Sequence, residues 1–246
     1  MVGHASGLEL IALGFGALGM VLGTVAFVVM GWGEQDEHKR RFYTVTTLIS
    51  GVAAAAYVAM FMGVGVAEVR IPGEMVLRIY WVRYVDWLLT TPLLLFDLAL
   101  LAGADRDTIY RLVGLDVGMV VVGGAAAVAP VGQTIRLALW AVSSLFFVAL
   151  LYVLANRLSR QAARQSGEVA ALFSTLRNLV IVLWTAYPIV WIVGTESTIG
   201  LIPLGVETAA FAVLDLLAKV GFGFVLLRSR SVLDEVSTAA SATTAD

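Results

Sequence analysis

Lys219 lies inside LDLLAKVGFGFVLL, a helical run apolar enough to sit in a lipid bilayer. The only other lysine in the 246 residues is Lys39, in the cluster HKRR. An ammonium at membrane depth costs roughly 3 kcal/mol on insertion scales and more in simulations. Such a residue needs a partner, a water-filled cavity or a covalent task. Asp215, one helical turn earlier on the same face, supplies a partner. A second polar face is written into YWVRYVDWLLTTPLLLFDLALL. At about 100° per residue, Arg83, Asp86, Thr90 and Asp97 share an arc of about 60°. Asp86 and Asp97 stand close to three whole turns apart, about 16 Å along the axis, or half the thickness of the hydrocarbon layer. One face thus holds two carboxylates at two depths.

The plain reading of Arg83–Asp86 and Asp215–Lys219 is a set of buried ion pairs that fix helix packing. That reading does not reach Asp97, which is flanked by LLLF and LAL with no basic residue in its run. Burial without a cation favours the neutral acid. An acid stored near one end and a carboxylate near the centre resemble two steps of a proton path. Aromatic residues form the next pattern: in WTAYPIVW, Trp184, Tyr187 and Trp191 fall at i, i+3 and i+7, one stripe of a helix. Trp87 and Trp140 also lie within apolar runs. A stripe of this kind is commonly plain packing. An amine enclosed by rings also suits a conjugated aldehyde held as a Schiff base. Pro92 and Pro188 remove backbone donors from their helices, and the Thr90 and Thr91 hydroxyls are placed to satisfy the carbonyls freed by Pro92.

These residues must be positioned by membrane helices. The chain is 60% hydrophobic and only 14% charged, with a mean hydropathy of +0.91, whereas soluble domains are about 25% charged. Apolar runs of spanning length occur at 8–31, 42–66, 79–101, 108–128, 135–157, 171–194 and 204–228. The expected fold is an all-α, seven-transmembrane helix bundle spanning residues 1–230, with 231–246 as a disordered tail. Lys39, Arg40, Arg41, Arg106, Arg111, Arg157, Arg160, Arg164, Arg177, Arg228 and Arg230 collect on one side; Arg70, Arg78 and Arg136 fall on the other. This bias places the N-terminus outside and the C-terminus in the cytoplasm of a multi-pass plasma-membrane protein. Glu9, Glu196 and Glu207 then lie near the outer ends of their helices. Cysteine is absent, and His4 and His38 lie outside the apolar runs, so no metal site is expected. No basic stretch precedes the first apolar run, so a cleavable signal peptide is not indicated.

RYVDWLLTTPLLLFDLALL, WTAYPIVW and LDLLAKVGFG, supported by FYTVTTL and LALWAVSS, resemble the archaeal-type microbial rhodopsins, and within them the bacteriorhodopsin group. The resemblance extends over nearly all of the chain. It implies all-trans-retinal bound to Lys219 as a protonated Schiff base, and a light-driven outward proton pump rather than an enzyme. Asp86 matches the primary counterion and proton acceptor, Asp215 the second counterion, and Asp97 the cytoplasmic donor. Arg83 matches the arginine between the counterions and the exit, and Glu196 and Glu207 match the release pair. Tyr57 and Tyr187 match the tyrosines that bond Asp215. Trp87, Thr90, Thr91, Leu94, Met119 and Gly123 match pocket positions. So do Trp140, Ser143, Trp184, Pro188, Trp191 and Ala218. Asp116 matches a carboxyl near the ring end of retinal, outside the proton relay. The resemblance also implies a homotrimer in lipid, with protons as cargo and no nucleic-acid partner.

Several positions depart from the bacteriorhodopsin pattern. Phe147 replaces a methionine near the retinal ring, Leu89 a phenylalanine, Ser50 a helix-two proline and Val180 a threonine. The connection between helices six and seven is one residue longer, which bears on how Glu196 meets Glu207. The alternative function on this fold is a photosensory rhodopsin signalling to a membrane transducer. Sensors usually lack a carboxyl at the donor position, and blue-absorbing ones commonly carry threonine where Ala218 stands. Halide pumps have a neutral residue where Asp86 stands.

Overall fold

The computed structural model describes residues 5–73 and 76–244, with side chains up to residue 239. His4 and the last two residues of the expected tail lie outside these limits. Seven helices are long and apolar enough to cross a membrane: α1 (Gly7–Met30), α2 (Glu37–Phe61), α3 (Val82–Leu101), α4 (Arg106–Val128), α5 (Gln133–Ala162), α6 (Gly167–Val193) and α7 (Leu204–Arg228). Their outer faces are apolar too, with Ile11, Leu145 and Val182 each about 70% exposed. Helices that are hydrophobic all round belong in lipid. The protein is a multi-pass membrane bundle.

The helix starts follow local chemistry. Ser6 and Glu9 form a reciprocal capping box on α1. The Asp105 carboxylate caps α4 through the Thr108 N–H, and Ser166 caps α6 through the Val169 N–H. Asp36 does the same for α2, accepting from the N–H groups of His38 and Lys39. That cap moves α2 from the expected 42–66 to Glu37–Phe61. The HKRR cluster therefore sits in the first helical turns, not in a loop. α5 and α6 likewise extend into NRLSRQAARQSGE, and α5 widens to a π turn over Val153–Leu158.

The connection after α2 is not an irregular loop. Ala67–Arg70 (β1) and Val76–Ile79 (β2) form an antiparallel hairpin with Val69 opposite Leu77 and Ala67 opposite Ile79. Val69, Leu77 and Ile79 are buried against Tyr84, Ala126, Ala127, Trp191 and Phe211. The hairpin thus caps the end of the bundle opposite the basic loops.

A second correction concerns the tail. Residues Arg230–Thr244 form a helix, α8, rather than the expected disordered segment. Leu233 is 1% exposed and, with Val232, belongs to the main core cluster beside Phe42, Leu101 and Leu226. Lys39 pairs with Asp234 at 2.8 Å, and the Ser237 hydroxyl donates to Asp36. Small and polar composition misled because the few apolar residues, Val232, Leu233 and Val236, fall on one helical face. The Ser237 hydroxyl and the Lys39 N–H hold the Asp36 carboxyl below the usual carboxylate range. A carboxyl lowered by folding adds stability above its ordinary range, and that stability is lost as pH falls through the lowered value. Docking of α8 is therefore expected at neutral pH and should weaken in acid below that range. Limited proteolysis against pH reads this, and unchanged protection in strong acid would remove Asp36 as the latch.

Candidate functional site: a buried ion cluster beside a ring-lined cavity

The arc expected on α3 is real. Arg83, Asp86, Thr90 and Asp97 are each at most 1% exposed. On α7, Lys219 is 3% exposed, and its Nζ donates to Asp86 Oδ2 at 2.5 Å and to Asp215 Oδ1 at 3.1 Å. One cation is thus clamped between carboxylates from two helices. Lys219 lies in a π turn, Leu216–Gly221, where one extra residue per turn widens the helix. Turns of this kind occur frequently at functional sites.

Asp215 is fully engaged. It accepts from the Tyr57 hydroxyl at 2.7 Å, the Tyr187 hydroxyl at 2.9 Å and Trp87 Nε1 at 3.1 Å. Asp86 has fewer partners besides Lys219: the Thr90 hydroxyl reaches its Oδ1 at 3.4 Å and its backbone carbonyl at 2.8 Å. The difference matters chemically. Three neutral donors and the cation take up the Asp215 oxygens, whereas Asp86 has one weak donor beyond the cation and keeps lone pairs open to a proton. The Thr90 and Thr91 hydroxyls bond the carbonyls of Asp86 and Trp87. They do not bond the Leu88 carbonyl, the i−4 partner that Pro92 removes.

Asp97 is fully buried, and its one side-chain partner is the Thr46 hydroxyl at 3.0 Å; its other oxygen has none. Its α3 neighbours Leu94, Leu95, Leu98 and Leu101 belong to the main apolar cluster. Thr46 was not singled out from sequence, because it is 51 residues away on α2 and no local period connects the two. Asp116 also has one oxygen satisfied, by the Thr91 hydroxyl at 2.7 Å, and one not. It sits apart from the Lys219 cluster.

At the hairpin end, Arg83 turns towards Glu196, at 3.4 Å, and away from both counterion candidates. Its guanidinium lies over the Phe211 ring at 4.5 Å. Glu196 also accepts a very short hydrogen bond from Tyr84, whose oxygen in turn accepts from Trp191 Nε1. Glu207 accepts from the Thr195 N–H at 2.7 Å and lies within electrostatic reach of Glu196 and Arg83. Unpaired buried atoms gather here: Arg83 Nε, Glu207 Oε1 and Thr208 Oγ1. Tyr84 and Phe211 were missed from sequence, the first hidden by its place beside Arg83 and the second by being an ordinary apolar residue on α7.

Arg136 was placed among the loop charges and is instead fully buried. It donates to the carbonyls of Ala127, Ala129 and Glu196, tying the start of α5 to the end of α4 and to the Glu196 loop. Removing it leaves buried carbonyls without donors, at about 1–3 kcal/mol each. Arg136→Ala is expected to lower stability by several such units and to shift Glu196; thermal denaturation checks the first, and an unchanged melting temperature would show the carbonyls find other donors.

Beside Lys219 opens a cavity lined by Trp87, Thr90, Thr91 and Leu94 of α3, Met119 and Gly123 of α4, and Trp140, Ser143 and Phe147 of α5. Trp184, Tyr187, Pro188 and Trp191 of α6 and Ala218 of α7 complete it. Tyr84, Val120 and Ser144 line it as well and were not expected. Tyr57 and Asp116 are not in the lining; each stands one hydrogen bond behind it, through Asp215 and Thr91. Trp87 meets Tyr84, Tyr187 and Phe211 edge-on at 5.2–5.3 Å, which fixes the ring wall. Trp140 is held by the Pro188 carbonyl and Ser143 by the Met119 carbonyl. The Ser143 oxygen lies 3.1 Å from where a Cβ on Gly123 would stand, so the missing side chain leaves room in the wall. An apolar, ring-lined space that reaches a buried amine fits a flat conjugated group bonded to Lys219.

Comparison with known proteins gives the family. A family model described as bacteriorhodopsin-like protein matches residues 8–233. The chain is 55% identical over 238 residues to a bacteriorhodopsin of Haloterrigena sp. (strain arg-4), covering 97% of this chain and 94% of that one. It is 51% identical to archaerhodopsin-2 of Halobacterium sp. (strain aus-2), covering 97% and 93%. Among solved structures, the thermophilic rhodopsin of Rubrobacter xylanophilus superposes with a TM-score of 0.86 at 43% identity, over 94% of this chain and 99% of that one. A ground-state halorhodopsin gives a TM-score of 0.89 at 32% identity, over 97% and 100%. With Lys219, its two carboxylates and the ring-lined cavity inside a model match that runs almost end to end, this chain belongs to the bacteriorhodopsin-like family.

Proposed function

We propose that the protein is a light-driven proton pump that moves protons outward, with retinal on Lys219. The observation that carries this reading is Asp97: a fully buried acid with one hydroxyl partner, on the same helical face as the Asp86 that clamps Lys219. Retinal joined to Lys219 as a protonated Schiff base would supply the absorption of visible light and a change of shape that disturbs the resting alignment of that nitrogen. The ammonium of Lys219 occupies the place of that nitrogen, and its contacts to Asp86 and Asp215 define the resting clamp.

In this reading Asp86 accepts the proton, because Asp215 is already occupied by Tyr57, Tyr187 and Trp87. Neutralising Asp86 changes the charge facing Arg83, which already rests against Glu196, and the Arg83–Glu196–Glu207 group releases a proton at the hairpin end. Asp97 then returns a proton to the Lys219 nitrogen from the basic end. The excess of Lys and Arg in the loops at Asp97's end supports a cytoplasmic position for that end, and in this reading the cycle exports protons. Direction follows from having the acceptor and the donor on opposite sides of the nitrogen.

The fold by itself does not select the ion, since a halorhodopsin superposes as well as a rhodopsin does. The carboxylate at position 86 and the acid at 97 support protons over an anion. Vesicles reconstituted with the pigmented protein should change external pH on illumination. A visible band with no light-dependent pH change would overturn the pump and favour the photosensory reading.

A further inference from the structure

Three glycines of α1 face the elements that hold the ion cluster. Gly16, Gly19 and Gly23 fall at i, i+3 and i+7, one stripe of the helix. A Cβ built on Gly16 would stand 2.4 Å from two ring carbons of Tyr57, the tyrosine that donates to Asp215. One on Gly19 would stand 2.5 Å from the Leu216 side chain, and one on Gly23 2.7 Å from that of Val220. Leu216 and Val220 lie one turn apart in the π turn that carries Lys219, to either side of it in sequence. Close approach is not general among the helical glycines: a Cβ on Gly114 of α4 meets nothing within 4 Å and one on Gly51 of α2 makes only an ordinary contact at 3.7 Å. Gly118 and Gly223 are also crowded, against Phe146 and against Phe27 and Thr46, and neither faces the π turn or Tyr57.

A π turn is wider than an α turn and pushes its side chains further out. Against a neighbouring helix with ordinary side chains, it would be held off or squeezed back to α geometry. A bare glycine stripe removes that obstacle. We infer that Gly16, Gly19 and Gly23 form a seat on α1 that positions the π turn of α7 and the Tyr57 ring, and thereby sets where Lys219 and Asp215 meet Asp86. These are positioning residues: none touches the cavity or the ions. The seat is matched pair by pair, Gly16 to Tyr57, Gly19 to Leu216 and Gly23 to Val220. This pairing distinguishes it from general close packing of small residues.

The inference rests on Lys219 holding retinal, but its test does not require pumping. Full-length Gly19→Ala and Gly23→Ala proteins are regenerated with all-trans-retinal, and the visible absorption maximum, its pH titration and the rate of pigment formation are recorded. Both variants should shift the maximum and the acid transition of the pigment and should form pigment more slowly. Gly114→Ala should match the parent. Because a single variant can fail to fold, the double variants decide: Val220→Ala should restore Gly23→Ala but not Gly19→Ala, and Leu216→Ala should do the reverse. Parental spectra in both single variants would overturn the seat, as would rescue that ignores the pairing. Matched rescue with no light-driven pH change in vesicles would leave the seat standing and overturn the pump instead. A parent protein that forms no pigment would overturn both.

Discussion

Asp86→Asn should abolish light-driven proton export while leaving a coloured, folded protein. The side chain keeps its shape, and an amide oxygen can still take a hydrogen bond from the Lys219 nitrogen, now at 2.5 Å from Asp86 Oδ2. It can no longer take the proton. Asp215 remains as a counterion at 3.1 Å, with Tyr57, Tyr187 and Trp87 holding it in place, so the buried cation keeps a partner. Loss of one of two partners is still costly, since breaking a buried pair is typically worth about 3–5 kcal/mol. The pigment should therefore be less stable to heat and altered in colour. Light-induced pH change in vesicles and the absorption spectrum together check the result. Export persisting at the parental rate would show that Asp215 or another group is the acceptor.

Asp97→Asn should act at the other half of the cycle. A positioned general acid contributes about 10²–10⁴-fold to a proton transfer. Return of the proton to the Lys219 nitrogen should slow by a factor in that range, with pigment formation and the first transfer to Asp86 little changed. The environment explains why nothing nearby replaces it. Asp97 is fully buried, with Thr46 as its one hydrogen-bond partner among the described residues. Flash photolysis measures the step directly. An unchanged recovery rate in Asp97→Asn would deny the donor role and move the reading towards a sensor.

The two substitutions separate the steps because the geometry does. Lys219 contacts Asp86 but not Asp97, and Asp97 has no ionic partner in the described residues. A group meant only to fix packing would be expected to have its second oxygen satisfied as well. Asp97 Oδ1 is not.

Much of this was legible in the chain. Spanning helices are set by length and apolarity, and all seven lie near their expected places. The polar face of α3 follows from the period of the helix, so Arg83, Asp86, Thr90 and Asp97 could be put on one side before any contact was known. The Lys219–Asp215 pair is a contact within one helix and is read in the same way. The hairpin at β1 and β2 and the docked helix α8 escaped for the opposite reason. Both are short, and both become stable by burying a few apolar side chains against residues distant in sequence: Leu77 with Ala126 and Trp191, Leu233 with Phe42 and Leu101.

The amino-acid sequence by itself determined that a buried amine and several carboxyls share the interior of seven helices, because charge, apolarity and helical period are local properties. Which of them touch was decided only by tertiary structure. Lys219 and Asp86 are 133 residues apart, Arg83 and Glu196 are 113, and Tyr57 and Asp215 are 158. No period within one helix can encode such meetings. They depend on how closely and at what rotation the helices pack, and here that packing depends in part on where α1 has no side chains at all.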